Sequence, residues 1–228
     1  MLDFSTRSNK KELLDGDNIP FEDLAQNLKE LNFINSKLGG HAITLKGLRK
    51  LTQGKNKKLS VLEIGCGGGD NLFYLKRKSR SQNFDFKGLD LKAECIEFAK
   101  QRYDEIEFTT SDYRAEDKEY DIIFSSLFCH HFTDDELIEQ FKWIHAHARM
   151  GFFINDLERN PVAYNLIKIL TKLFSKSYLV KHDAPLSVAR AFKRKELASL
   201  LKRAGLEQFE ISWQWAFRYL VVCKKTAI

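Results

Sequence analysis

The stretch VLEIGCGGGD, Val61–Asp70, sets a carboxylate, Glu63, two residues ahead of a glycine series at 65, 67, 68 and 69. Glu63 lies in an apolar run, and an ionised carboxylate buried there costs several kcal/mol unless it is paired. The glycines strip the turn of side chains, so a ligand can lie directly against backbone. Cys66, inside the series, reads as a small filler and not as a nucleophile. Further acids follow: Asp90 in FKGLD, Asp112 in SDY and Asp121 in YDIIFSS. Beyond them lie the pair His130-His131 in SSLFCHHF and the pair Asn155-Asp156 after another apolar run. Imidazoles change charge near neutral pH, which suits them to moving protons.

These residues need a frame, and the hydrophobic pattern supplies one. Strands are expected at Leu59–Ile64, Phe84–Leu89, Ile106–Thr109, Tyr120–Ser125 and Arg149–Ile154. Helices are expected between them at Asp70–Lys78, Lys92–Arg102 and Asp134–His145, the last opened by a capping box of Thr133 and Glu136. Alternation of this kind, with nearly continuous apolar strands, means a parallel sheet covered on both faces, an α/β fold. Before it, residues 1–18 read as a loose arm. Pro20 then opens a helix carrying Leu24, Leu28, Leu31 and Ile34 or Leu38 at helical spacing. Gly39-Gly40 ends it, a second helix runs about His41–Leu51, and a KNKK turn at 55–58 leads into the first strand. After the fifth strand comes an amphipathic helix, Val162–Phe174, then a last helix, Lys195–Ala204, closed by Gly205. The runs Leu206–Trp213 and Ala216–Cys223, two residues apart, should pair as a hairpin.

The chain has 228 residues, 43% apolar, enough for one sizeable core. Its four cysteines, Cys66, Cys95, Cys129 and Cys223, are far apart and form no C-x-x-C pair or Cys/His cluster at metal spacing. A reduced, cytoplasmic protein without a metal is expected. No apolar run is long enough for a spanning helix. The net charge of +6 raises the question of nucleic acid, with basic clusters at Lys55–Lys58, Lys76–Arg80 and Arg190–Lys195. The 31 interspersed acids and the lack of an aromatic-plus-basic stripe favour solvated faces instead.

Two phosphate-binding patterns fail here. In G-x-G-x-x-G the third glycine would fall on Asp70 or, one frame later, on Leu72; G-x-x-x-x-G-K-[ST] is absent. What is present is E-x-G-x-G-x-G, with Asp90 21 residues past Gly69, then Ser111-Asp112-Tyr113 and Asp121 in order. This set resembles the class I S-adenosylmethionine (SAM)-dependent methyltransferases, in their small-molecule, type 11/25-like group. It covers roughly Leu59 to Cys223. The resemblance implies a Rossmann-like, seven-stranded, mostly parallel sheet with an antiparallel last strand and helices on both faces. It also implies a helical arm or cap over 1–57 and a methyltransferase domain over 58–228, with a helical lid inserted at about 157–192. SAM would rest on Gly65, Cys66, Gly67 and Gly69. Glu63 would face its ammonium and Asp90 its ribose hydroxyls, as the equivalent acid does in dinucleotide folds. Asp112 would take the adenine amino group, with Tyr113 or Leu91 against the ring and Ser126-Leu127 completing the site.

Residues after the fourth strand lie beside the methyl in this family. SSLFCHHF has no Pro-Pro of the amino-methylating enzymes, no Pro-Cys nucleophile, and Ser126-Leu127 where metal-dependent catechol enzymes place an aspartate. A small-molecule acceptor is implied. A hydroxyl acceptor needs a base, for which His131, then His130, are the candidates, with Asp156 as an acceptor-side contact. The segments ELLD, LGGH, INDLERNPVAYNLIKIL and DAPLSVARAF resemble bacterial methyltransferases encoded with polyketide or aromatic-pigment pathways. They favour O-methylation of an aromatic or polyketide-like acceptor by a monomer or homodimer, with Arg190 or Ser187 at the pocket mouth. An RNA methyltransferase, or a non-catalytic binder on the same fold, is the alternative.

Overall fold

The computed structural model describes residues 3–53, 58–79 and 83–225; most of the expected KNKK turn, and the end of the basic run at Arg80, fall outside them. Seven strands form one sheet: β1 (Leu59–Ile64), β2 (Phe84–Asp90), β3 (Glu107–Thr110), β4 (Tyr120–Ser126), β5 (Ala148–Leu157), β6 (Glu210–Gln214) and β7 (Arg218–Lys224). Their order is β3-β2-β1-β4-β5-β7-β6, with β7 antiparallel to both its neighbours and the other pairings parallel. β1 and β4 are central and almost wholly buried, which explains why they read as continuous apolar runs. The chain order reverses direction between β1 and β4, and such switch points open a crevice at the carboxyl ends of the strands.

The two-residue alternation of side chains splits the core into two layers. On one face Leu62, Ile64, Ile123 and Phe152 meet α5 (Asp134–His147) and α8 (Arg194–Arg203) through Leu137, Phe141, Leu197 and Leu201. On the other, Val61, Ile122, Phe124 and Phe153 meet α2 (Gly40–Thr52), α3 (Asp70–Lys78) and α4 (Ala93–Arg102). Close approach of α2 depends on Gly47: a Cβ there would lie 2.5 Å from the Phe153 ring. Both bonds of the Thr133–Glu136 capping box are made, so α5 begins where the sequence predicts.

Three boundaries differ from expectation. β5 continues through Asn155, Asp156 and Leu157, because these polar positions keep their ladder bonds to β7. β6 starts at Glu210, four residues late; Leu206 is buried but outside the ladder. Two helices follow β5, α6 (Pro161–Phe174) and α7 (Tyr178–Arg190), and α7 runs through Pro185. The N-terminal segment is also not loose. It leads through a short 3-10 turn, Leu13–Asp15, to α1 (Phe21–Lys37), and Glu12 within it is buried.

Candidate functional site

The glycine turn connects β1 to α3. Gly65, Gly67 and Gly69 all take positive φ (67°, 51° and 76°), the left-handed region that disfavours a side chain. The loop is held by Asp90 at the end of β2. One carboxylate oxygen accepts from the Gly67 N–H at 2.8 Å and the other from the Lys92 N–H at 2.9 Å. Burial pushes the Asp90 carboxyl above its ordinary value, and these two donors pull against that.

Beside the loop lies a cleft of about 380 Å³, lined by Gly65, Asp90, Leu91, Ser111, Asp112, Tyr113 and Phe128 among others. Asp112 caps the short turn Tyr113–Ala115 and is gripped by the Arg114 guanidinium. That bond holds its carboxyl below the usual range. Tyr113 packs edge-on against Trp143 of α5, and Leu91 is 65% exposed at the rim. Asp135, Glu136 and Glu139 add acid on the α5 side, with Arg114 as the basic group facing them. The lining is therefore strongly acidic, although the whole chain is basic.

Glu63 sits behind the loop, fully buried on β1. One oxygen accepts from Asn71 Nδ2 at 3.1 Å, and the other has no hydrogen-bond partner. Burial, then the nearby Asp70 and Asp90 charges, push its carboxyl well above the ordinary value. A buried carboxylate left half-satisfied in this way is short of a cationic or donating partner. Asn71 is shared with His41 of α2, whose Nδ1 lies 2.8 Å from Asn71 Oδ1. Nearby, Asn155 Nδ2 donates to Gly40 O, Thr44 Oγ1 and Ser126 Oγ, tying α2 to the ends of β4 and β5.

The third group is centred on the turn Cys129–His131. His130 Nδ1 lies 2.7 Å from Asp156 Oδ1 and His131 Nδ1 lies 2.9 Å from Asp15 Oδ1. Both Nε2 atoms face the carboxylate of Glu12, at 3.6 Å from His130 and 3.9 Å from His131. Glu12 accepts from Ser187 Oγ at 2.8 Å, and burial raises its carboxyl to about 7. Arg7 and Arg190 lock this arrangement. Arg7 donates to Phe132 O, His130 O and Arg190 O; Arg190 donates to His130 O, His131 O and Lys10 O.

The expected residues thus divide. Gly65, Asp90, Leu91, Asp112 and Tyr113 meet in one cleft, with Glu63 behind it. Cys66 turns its thiol inward against Gly88, and burial raises that thiol far above its normal range. Gly69 faces Phe108 and opens α3, so it serves the turn and its packing. Ser126 is buried on Asn155, and Leu127 holds a positive φ of 53°. A Cβ on Gly65 would overlap the Phe128 ring, so an aromatic side chain lies on the bend there where the sequence predicts open backbone. His130, His131 and Asp156 meet in one cluster. Arg190 and Ser187 brace that cluster instead of marking a pocket mouth. Glu12, Asp15 and Arg7 have no role that sequence alone can assign, because the partners that matter lie more than a hundred residues away; ELLD is the single signal on that side. Asn71 and Phe128 were also missed, although each adjoins a motif.

Residues 61–151 match the family model described as a methyltransferase domain. No curated protein matches the sequence. Among solved structures, the plantazolicin methyltransferase BpumL in complex with SAH is 17% identical, with a TM-score of 0.67 over 90% of this chain and 95% of that one. A SAM-dependent methyltransferase from Aquifex aeolicus is 15% identical, with a TM-score of 0.62 over 91% and 99%. The magnesium protoporphyrin IX methyltransferase of Synechocystis, with bound SAH, is 15% identical, with a TM-score of 0.57 over 85% and 87%. These likenesses establish a shared fold.

Proposed function

We propose that this chain is a class I, SAM-dependent methyltransferase that transfers a methyl group to a hydroxyl of a small aromatic or polyketide-like acceptor in the cytoplasm. The observation that carries the reading is the convergence of Asp90, Asp112 and Tyr113 on a glycine-lined cleft, with an unpartnered carboxylate oxygen of Glu63 behind it. These groups fit SAM: Glu63 suits its ammonium, Asp90 its ribose hydroxyls, and Asp112 with Tyr113 and Leu91 its adenine. The backbone of Gly65 and Gly67, with Ser126 and Leu127, would border the amino-acid end. The acidic lining suits a net cation and disfavours phosphate. When bound, SAM supplies a methyl already activated by its sulfonium.

The chain's remaining task is to orient the acceptor, exclude water and remove a proton; positioning alone can supply roughly 7–11 kcal/mol. We assign the proton to the cluster of Glu12, His130 and His131. His131, the more exposed imidazole, is the base candidate, while Asp156 orients His130. The helices α6 and α7 and the N-terminal arm form the roof on that side. The acceptors named for BpumL, plantazolicin, and for the porphyrin enzyme, magnesium protoporphyrin IX, support a small-molecule acceptor. Four buried, unpaired thiols support a reducing compartment, and among the described residues no helix is long and apolar enough to cross a membrane. Calorimetry with SAM and SAH, followed by transfer of tritiated methyl to a panel of phenols and hydroxyquinones, tests the proposal. An absence of cofactor binding at millimolar SAM refutes it.

A further inference from the structure

Cysteine and histidine spacing gave no metal site, yet the fold assembles a ligand set that spacing cannot reveal. Glu12, His130 and His131 each offer a ligand atom, and the three atoms lie within 4.8 Å of one another. The carboxylate-to-imidazole separations, 3.6 and 3.9 Å, are too long for hydrogen bonds. They are close to the ~3.4 Å that separates two ligand atoms held about 2.1 Å from one tetrahedral zinc ion.

The outer partners point the same way. A ligating histidine characteristically donates its other ring N–H to a carboxylate, which fixes the tautomer and aims the free nitrogen at the metal. Here both histidines have that partner, Asp156 on His130 Nδ1 and Asp15 on His131 Nδ1. Ser187 Oγ holds the third ligand, Glu12. Each inner group is therefore oriented by a second residue, and both Nε2 atoms are left facing one buried carboxylate with nothing bonded between them. Glu12 and His130 are buried, while His131 is 21% exposed, so the set is open on one side only.

We propose that Glu12, His130 and His131 bind one divalent first-row transition-metal ion, with Asp156, Asp15 and Ser187 as the groups that orient them. Two imidazoles and one carboxylate leave coordination positions free, the pattern of a catalytic rather than a structural site. Binding stands on this geometry alone, whereas the ion's chemical use rests on the methyl-transfer reading. An ion here would stabilise the acceptor's oxyanion, its proton released to solvent through the side left open at His131, in place of general-base removal by that imidazole.

The test uses the full chain stripped with a chelator and titrated with Zn²⁺ or Co²⁺. Calorimetry and elemental analysis should show one equivalent per chain, Co²⁺ should give a visible ligand-field spectrum, and Zn²⁺ should raise the melting temperature of the wild-type protein. Glu12→Gln, which keeps the shape of the side chain, and His131→Ala should abolish the spectrum. Asp156→Asn should weaken binding about 10–100-fold, as loss of such outer partners does. His147→Ala, a histidine elsewhere on α5, should change nothing. Wild-type protein that takes up no stoichiometric ion, or a Glu12→Gln protein that binds it as tightly as wild type, overturns the proposal. SAM binding, measured on the same stripped protein, separates the two readings: intact SAM binding without metal uptake removes this inference and leaves methyl transfer standing.

Discussion

Glu63→Gln separates what the buried carboxylate costs the fold from what it gives the ligand. In the free protein Glu63 has one bond, from Asn71, and one oxygen without a partner. Its carboxyl is raised well above the ordinary 4.5, so the folded state holds a proton that the unfolded chain releases. Stability from this group is therefore lost as pH rises from about 4.5 towards the folded value. Glutamine can still accept from Asn71, carries no charge, and turns an amide towards the acids that the carboxylate repels. Urea unfolding should show Glu63→Gln more stable than wild type at pH 7 by ~1–3 kcal/mol, the usual cost of an unsatisfied buried polar group, with the difference narrowing as pH falls towards 4.5. Cofactor binding should move the other way. Loss of a charge-assisted bond to the SAM ammonium costs ~1.5–3 kcal/mol, roughly 10–150-fold in Kd. Pairing with an ammonium would favour the ionised form of wild-type Glu63, so proton release on SAM binding, read from calorimetric heats in buffers of different ionisation enthalpy, should be larger for wild type than for the variant. A variant that is less stable at pH 7, or that binds SAM like wild type, refutes the reasoning.

Asp90→Ala would remove the two ribose contacts we assign to it and does remove the restraint on Gly67 N–H; at ~1.5–3 kcal/mol per charged bond, SAM affinity measured by calorimetry should fall at least 100-fold. Gly47→Ala should destabilise the protein by up to ~2 kcal/mol in urea, because overpacking against Phe153, ~1–3 kcal/mol, outweighs the better helix propensity of alanine, about 1 kcal/mol. Arg7→Ala frees the arm from the carbonyls of His130, Phe132 and Arg190. It should leave SAM affinity unchanged while lowering methyl transfer by ~100-fold, the effect of a small misplacement of a reacting group.

Parts of this molecule are legible because their causes are local. β1 is bounded by its own apolar run and the glycine turn, and the Thr133–Glu136 capping box sits within four residues. Asp90 ends β2 and Asp112 lies two residues past the end of β3, and the parallel pairing of those strands brings both to one cleft. Other parts depend on distant partners. Asn155 and Asp156 look like the end of a strand because polar residues seldom continue a buried one. They do continue it, since Gly40 and Thr44 accept from Asn155 Nδ2 and His130 pairs with Asp156. Pro185 and the charged residues around it hide α7. Phe128 reads as an ordinary apolar residue, and only the fold shows its ring lying on Gly65.

The same contrast runs through the site. The half that fits the cofactor is one strand–turn–helix unit and the two strand ends beside it, so motif and spacing describe it well. The half we assign to the acceptor is assembled by the arm, whose Glu12 and Asp15 reach a histidine pair more than a hundred residues on. Closing that loop has a substantial entropic cost, and the structure meets it with a dense lattice: Arg7, Arg190, Asp183 and Ser187 all bind across the junction. Such a lattice rigidifies the arm without touching the glycine turn. Substitutions in the lattice should therefore alter turnover or metal affinity and spare SAM binding, whereas Glu63 and Asp90 variants should do the reverse. A lattice variant that loses SAM affinity in step with activity would show that the two halves act as one unit.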